Sequence, residues 1–235
     1  MEISVWEEVK LFNFKNMNKI YIVGTPIGNL KDITLRAIEI LKGVDMILSE
    51  TPRVTMKMLN HFEIKKPVFN FFQNPTDKQI NEILKWLSEG KDIAIVSEAG
   101  VPGVSDPGNK LIDEILKKQN VCIIPIPGVS AITTAISISG VNTQKFAFFG
   151  FVPKTKRNKF WKEINDFDGA VLFFESPFRI KKTLKEVSEK VNKKKILIFR
   201  ELTKIFEEVI RTDNINLEKD IKNLKEKGEF TILLI

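Results

Sequence analysis

Residues 92–128 read DIAIV SEAGVPGVSDPG NKLIDEILKK QN VCIIPIPG. Asp92–Val96 is an apolar run with no polar face, Glu98–Gly108 a loop, Asn109–Lys118 a helix and Val121–Ile124 a second apolar run. The same alternation runs upstream. Lys19–Gly24 (KIYIVG) reads as a buried strand, Thr25–Asn29 as a turn and Ile33–Leu41 as a helix; Asp45–Ser49 is another strand. Val54–Phe62 and Thr76–Glu89 read as helices, the latter stopped by Gly90. Short apolar strands alternating with helices predict an α/β fold whose sheet is parallel and covered by helices on both faces.

After Pro127-Gly128 the rhythm changes. Ser130–Ser139 reads as a helix, Phe146–Phe151, Ala170–Phe174 and Lys195–Arg200 as strands, and Pro177 to about Val191 as a long helix. Glu207–Thr212 and Glu229–Ile235 complete the strand set, and the short Arg200–Phe206 connection predicts an antiparallel neighbour. The expected organisation is an appended stretch at 1–16, with Met17 as a possible natural start, a first α/β domain over 17–128 and a second over 129–235.

Composition narrows the chemistry. The 235 residues contain one cysteine and one histidine, which argues against a disulfide framework, a Cys- or His-rich metal centre and a Ser-His-Asp triad. There is no G-x-x-x-x-G-K-[ST] phosphate loop. The charge-free run Val121–Gln144 is broken by Pro125, Pro127 and Gly128 and carries five hydroxyl residues between Ser130 and Ser139, so a membrane span is not expected. Nor does the N-terminus carry the uninterrupted apolar stretch of a signal peptide, and a soluble cytoplasmic protein is the default expectation. The net charge of +7 is uneven: residues 1–150 hold 17 basic and 16 acidic side chains, residues 151–235 hold 20 and 14. That skew points to a polyanionic partner for the C-terminal half.

Three loops follow strand ends, where an open α/β sheet binds ligands. They are Gly24–Leu30 (GTPIGNL), Ser97–Gly108 and Pro125–Ala131 (PIPGVSA). The second packs three glycines and two prolines into twelve residues, a composition that lets backbone approach a ligand in a fixed shape. Ser105, Asp106 and Ser130 could equally be helix caps. Three charged segments stand apart: Phe173–Arg179 (FFESPFR), Arg200–Glu208 (RELTKIFEE) and Lys154–Lys162 (KTKRNKFWK). In the last, Lys154, Lys156, Arg157 and Lys159 suit RNA phosphates with Phe160 and Trp161 stacking nearby, or the aromatics pack inward on an amphipathic helix.

In order and spacing, TPIGNL (25–30), DITLR (32–36), GVPGVSDPG (100–108), PGVSA (127–131), FESP (174–177), RELTKIFEE (200–208) and KGEF (227–230) resemble the small-subunit ribosomal RNA cytidine 2′-O-methyltransferase family of the tetrapyrrole methylase superfamily. The resemblance implies two α/β domains, the second with a mixed sheet, S-adenosylmethionine (SAM) in a cleft between them, and a homodimer. It implies methylation of a cytidine ribose 2′-OH in the decoding centre of 16S rRNA in the small ribosomal subunit, with no metal. By motif position, Pro26, Gly28, Gly100, Pro102, Gly103, Ser105, Asp106, Ser130 and Ala131 would line the SAM site. The chain departs from the family at Glu50-Thr-Pro-Arg53, where E-D-T-R is usual, and at Phe178, where histidine is usual.

A base that takes the hydroxyl proton would come from Glu50, Glu175 or Glu201, with Arg53, Arg179, Arg200 and Lys204 polarising the ribose or holding phosphates. Lys204 could itself be the base if burial lowered its pKa. Two other readings stay open at this level: a tetrapyrrole methylase acting on a small molecule, and a catalytically weak RNA-binding relative.

Overall fold

The computed structural model describes residues 19–72, 74–105 and 108–235. The proposed appended stretch at 1–16 and Asp106 lie outside the described residues. The chain divides into two compact units. The first gathers Thr34–Glu98 with the segments that end at Val23 and Pro127. The second gathers Gly28 and its neighbours in Gly24–Ile33, the loop Ala99–Ser105 and Gly128–Ile235. The first sequence-predicted ligand loop and the Ala99–Ser105 part of the second therefore fold with the C-terminal half of the chain, where Gly128–Ala131 of the third loop also lies.

In the first unit, β1 (Lys19–Val23), β2 (Met46–Ser49), β3 (Val68–Asn70), β4 (Ile93–Val96) and β5 (Cys122–Ile126) form one sheet in the order β3-β2-β4-β1-β5. Every pairing is parallel. All four residues of β2 and of β4 are buried, as expected where both faces of a strand are covered. Ile20, Met46, Leu48, Ile93 and Ile95 pack against Ile80, Ile83 and Leu87 of α3 (Asp77–Ser88) and against Leu111 and Ile115 of α4 (Asn109–Lys118). The helix starts are capped as their sequences suggest. Thr34 accepts the Ala37 N–H ahead of α1 (Leu35–Gly43), and Thr76 with Gln79 forms a reciprocal capping box on α3. Such a cap contributes about 1 kcal/mol. α2 (Pro52–His61) begins with proline at a first-turn position that needs no N–H. The pattern predicts a strand ending at Ile124, before Pro125; β5 continues to Ile126 because, among the described residues, it is an edge strand paired with β1 alone, and proline is tolerated there.

In the second unit, β6 (Phe146–Phe151), β7 (Ala170–Glu175), β8 (Lys195–Arg200), β9 (Glu208–Asp213) and β10 (Phe230–Leu234) form a mixed sheet in the order β6-β7-β10-β8-β9. β6 and β7 are parallel, and the remaining pairs are antiparallel, including the predicted β8–β9 neighbour. Strand alternation splits the apolar residues between two faces. Val171, Phe173, Ile196, Ile198, Ile232 and Leu234 pack with α6 (Arg157–Asp166), α7 (Ile180–Lys190) and α8 (Leu217–Asn223). Leu172, Leu197, Phe199 and Leu233 pack with Ile132 and Ala135 of α5 (Ala131–Ser137), and with Ile27 from the first loop. Phe160 and Trp161 are buried in the α6 core, so the packing reading of that segment holds and the base-stacking one fails.

Candidate active site

The parallel sheet sends four carboxyl-terminal strand ends to one edge. β1 leads into Gly24, β2 into Glu50, β4 into Ser97-Glu98 and β5 into Pro127. At the adjacent β2 and β4 ends, the Thr51 hydroxyl donates to the Glu98 carboxylate. Thr51 therefore does not cap α2 with its side chain, although it stands at the N-cap position. The Thr51 N–H instead donates to Ser49 Oγ at 3.2 Å, and the Ser49 and Thr55 hydroxyls lie 2.6 Å apart in the buried interior. Among the described residues Glu50 has no hydrogen bond or ion pair. Burial, and then the negative charge of Glu98, pushes its carboxyl above the ordinary glutamate value. A carboxylate of raised basicity at a strand end is suited to accept a proton. Arg53, one helical position beyond the proline of α2, is exposed beside it in sequence.

The three predicted ligand loops meet within the second unit, through backbone. The Thr25 N–H donates to the Gly100 carbonyl at 2.8 Å, and the Gly100 N–H returns to the Thr25 carbonyl at 3.1 Å. Gly100 has φ +84°, a left-handed conformation that favours glycine, and a Cβ there would meet Ile27 and the Val129 carbonyl only at ordinary contact distance. A Cβ on Gly128 would lie 2.8 Å from the Gly24 Cα, which no side chain can occupy without displacing the first loop. Ser130 caps α5 by accepting the Ile132 N–H at 3.3 Å. Ser105 is exposed and left-handed, at φ +63°, and its hydroxyl is the nearest atom to a Cβ built on Gly150. Gly108, not Ser105, takes the N-cap position of α4. Pro26, Gly100 and Pro102 are buried, Gly103, Ser130 and Ala131 are half-buried, and Gly28 is exposed.

Gly28 has a second reason to lack a side chain. A Cβ there would collide with the Lys204 and Thr203 side chains, and the Asn29 N–H donates to Thr203 Oγ1 at 3.2 Å. Thr203 is a β-branched residue at φ +66°, an outlier held by that bond and by its own N–H donating to Glu207 at 2.6 Å. Neither Thr203 nor Glu98 stood among the sequence-predicted site residues. Glu98 carries nearly the same signal as Glu50, an acid within two residues of the end of a buried strand. Thr203 carried none, because strain is invisible in sequence.

The other predicted acids and bases are committed to partners. Glu175 is 1% exposed. One of its oxygens takes the Ser176 N–H and the Arg179 guanidinium, each at 2.7 Å, and the other takes the Thr183 hydroxyl at 2.6 Å. Arg179 also donates to the Val152 carbonyl and the Ser176 hydroxyl. Arg200 is buried, paired with Glu208 at 2.7 Å and donating to the Lys227 carbonyl. Glu201 accepts from Lys204 and from the Glu229 N–H, each at 2.9 Å. Burial raises the Glu201 pKa, but these partners outweigh it and leave it below the ordinary value. Lys204 runs the opposite way to the sequence-level condition: burial alone would lower its pKa, but Glu201 and Glu229 raise it overall. A lysine held more firmly as a cation is a poor base. Gly228 of the KGEF motif is fitted to this cluster, since a Cβ there would come within 2.6 Å of the Glu201 carboxyl carbon.

Of the predicted RNA contacts, Lys154, Lys156 and Lys159 are exposed. Arg157 turns inward, bonding Glu186 at 2.8 Å and the Thr183 hydroxyl at 2.8 Å, while the Trp161 N–H donates to the same Glu186 oxygen at 2.7 Å. Among the described residues no group of three or more His, Cys, Asp or Glu could hold a metal ion, and no helix is long and apolar enough to cross a membrane.

The profile of the Tetrapyrrole (Corrin/Porphyrin) Methylases matches residues 19–217. The ribosomal RNA small subunit methyltransferase I of Thermotoga maritima is 42% identical over 219 residues, covering 93% of this chain and 98% of its own. The protein of the same name from Borrelia garinii subsp. bavariensis is 41% identical, covering 92% and 97%. Among solved structures, a diphthine synthase matches with TM-score 0.69 at 17% identity, over 92% of this chain and 89% of its own. A cobalt precorrin-4 methyltransferase matches with TM-score 0.67 at 19% identity, over 92% and 94%. Those two likenesses concern the fold; the sequence relatives go further, and this chain belongs to the tetrapyrrole methylase family and, within it, to the ribosomal RNA small subunit methyltransferase I group.

Proposed function

We propose that this protein transfers a methyl group from SAM to the ribose 2′-OH of a cytidine in the 16S rRNA of the small ribosomal subunit. The supporting observation is the 42% identity that runs over almost the whole length of the T. maritima relative. A backbone-lined cradle, tight enough at Gly128 to exclude a Cβ, is compatible with a cofactor that is bound by main-chain groups and apolar contacts. Pro26, Gly28, Gly100, Pro102, Gly103, Ser105, Ser130 and Ala131 would hold it, Asp106 belonging to the same motif. When bound, SAM supplies a methyl group already activated on a sulfonium, so the protein contributes alignment and a proton acceptor.

In this reading Glu50 takes the proton of the 2′-OH as the oxygen–carbon bond forms and the carbon–sulfur bond breaks. Its raised pKa and lack of a fixed partner favour it over Glu175 and Glu201, both spent on cations. Glu98 keeps that basicity high. Arg53 meets a neighbouring phosphate, and Lys204, packed beside Gly28, supports the first cofactor loop, whereas Arg179 and Arg200 are spent on Glu175 and Glu208. Lys154, Lys156 and Lys159 add phosphate contacts. The enzyme works as a homodimer in the cytoplasm.

The test offers methyl-labelled SAM together with small subunits lacking the modification, free 16S rRNA, or a tetrapyrrole. Label entering rRNA supports the reading. Label entering only the tetrapyrrole, or SAM binding with no transfer to any acceptor, contradicts it.

A further inference from the structure

Two adjoining cavities of about 640 and 600 Å³ open at one end of the mixed sheet, and they share Gly140, Val141 and Lys195. Their walls come from the chain beyond α5, the start of β8, the end of β9 and the start of α8. Five cations line them: Lys193, Lys194, Lys195, Arg211 and Lys219, against the acids Asp213 and Asp220. Asp213 is turned to structure, since its Oδ1 accepts from the Ile215 N–H, the Asn216 N–H and the Asn216 side-chain amide. Lys194, Lys195 and Lys219 are exposed and form no ion pair among the described residues. Two of the cations are fixed from behind. Arg211 donates to the Ile138 carbonyl at 2.7 Å, and Lys193 donates to the Phe167 and Gly169 carbonyls at 2.7 and 3.0 Å. A carbonyl orients a cation without cancelling its charge, so the walls keep their positive potential.

The cavities are remote from the cofactor loops. β8 begins at Lys195 beside them and ends at Arg200, next to the Glu201–Thr203 turn that contacts Gly28 and Asn29. At ~3.3 Å per strand residue, that is a separation of roughly 17 Å. One nucleotide cannot reach both ends.

We infer that this basic double cavity is a second dock that grips the phosphodiester backbone of the RNA away from the nucleotide being methylated. The inference rests on the proposed rRNA substrate. It assigns part of the C-terminal charge excess to a defined place rather than to a diffuse surface.

The test compares wild type with the triple variant Lys194→Gln/Lys195→Gln/Lys219→Gln and with a control pair on the first unit, Lys42→Gln/Lys78→Gln. Because all the substituted side chains are exposed, folding should survive, and a matching thermal transition checks it. Binding of a 16S rRNA fragment is followed against salt. Each lost single-strand phosphate contact removes about 0.7 from the slope of log K on log salt, so the triple variant should lose roughly 2 while the control loses less. KM for the small subunit should rise several-fold in the triple variant, with kcat and the SAM Kd unchanged. An equal slope in triple and control variants overturns the dock. So does micromolar binding of cytidine monophosphate that the triple variant abolishes while its RNA slope stays that of wild type, since the cavity would then be a small-molecule site. The slope is read without turnover, so a wild-type protein that fails to methylate rRNA contradicts the proposed function separately and leaves the slope to decide the dock.

Discussion

Glu50, Glu175 and Glu201 are the same side chain in three different settings. In sequence each is an acid beside a strand end, and nothing there ranks them. Partners do: Glu175 is closed by Arg179 and Thr183, and Glu201 by Lys204, whereas Glu50 is raised by burial and by Glu98. If Glu50 is the proton acceptor, Glu50→Gln should lower single-turnover methyl transfer by about 10²–10⁴-fold and leave the SAM Kd unchanged. The wild-type rate should climb with pH through the raised Glu50 pKa, above its ordinary value of 4.5, and Glu50→Gln should flatten that limb. The stability sign is fixed as well. A carboxyl whose folded pKa is raised stabilises the fold below its unfolded pKa, and that contribution is lost as pH rises through the folded one. Glu50→Gln should therefore be at least as stable as wild type at neutral pH, with the difference closing in acid. Glu175→Ala should behave in the opposite way. It strands Arg179 at a largely buried pair, costing about 3 kcal/mol, or roughly 6–12 °C in Tm, while turnover below the transition survives. Collapse of turnover with an unchanged Tm would instead make Glu175 the base.

At the scale of elements, long periodic segments were legible and short ones were not. Asn109–Lys118, Phe146–Phe151 and Lys195–Arg200 occupy the residues their patterns predict. β3 has three residues, VFN, too few to show a period, and it exists because β2 offers it an edge. α8 (LEKDIKN) buries only Leu217 within its span, so it has almost no apolar stripe to read. The loops were legible as loops, but their meeting was not, because it depends on glycines whose missing Cβ atoms admit another backbone. Gly128→Ala should therefore displace the Gly24 segment and weaken SAM binding by an order of magnitude or more in calorimetry. Gly43→Ala is the contrast. It closes α1 with nothing within 4 Å of a new Cβ, so it should leave SAM affinity alone and gain about 0.5–1 kcal/mol of stability. Equal SAM affinities for the two variants would remove the cradle from the account.

At the scale of the molecule, charge and homology carry what local chemistry cannot. The excess of 20 basic over 14 acidic residues in 151–235 fits a polyanion, and the double cavity gives part of it a location. Raising salt from 50 to 200 mM should raise KM for the small subunit steeply while moving the SAM Kd little, because only the former releases counterions. A KM indifferent to salt would detach the basic half from RNA. The acceptor atom is a property of how the substrate lies on the protein, which neither motif spacing nor strand order encodes. The most direct measurement is therefore to label small subunits with methyl-SAM, digest the rRNA completely and identify the nucleoside that carries the methyl. A single 2′-O-methylcytidine is the expected product. Label on a base carbon or nitrogen, or on any other nucleoside, would contradict it.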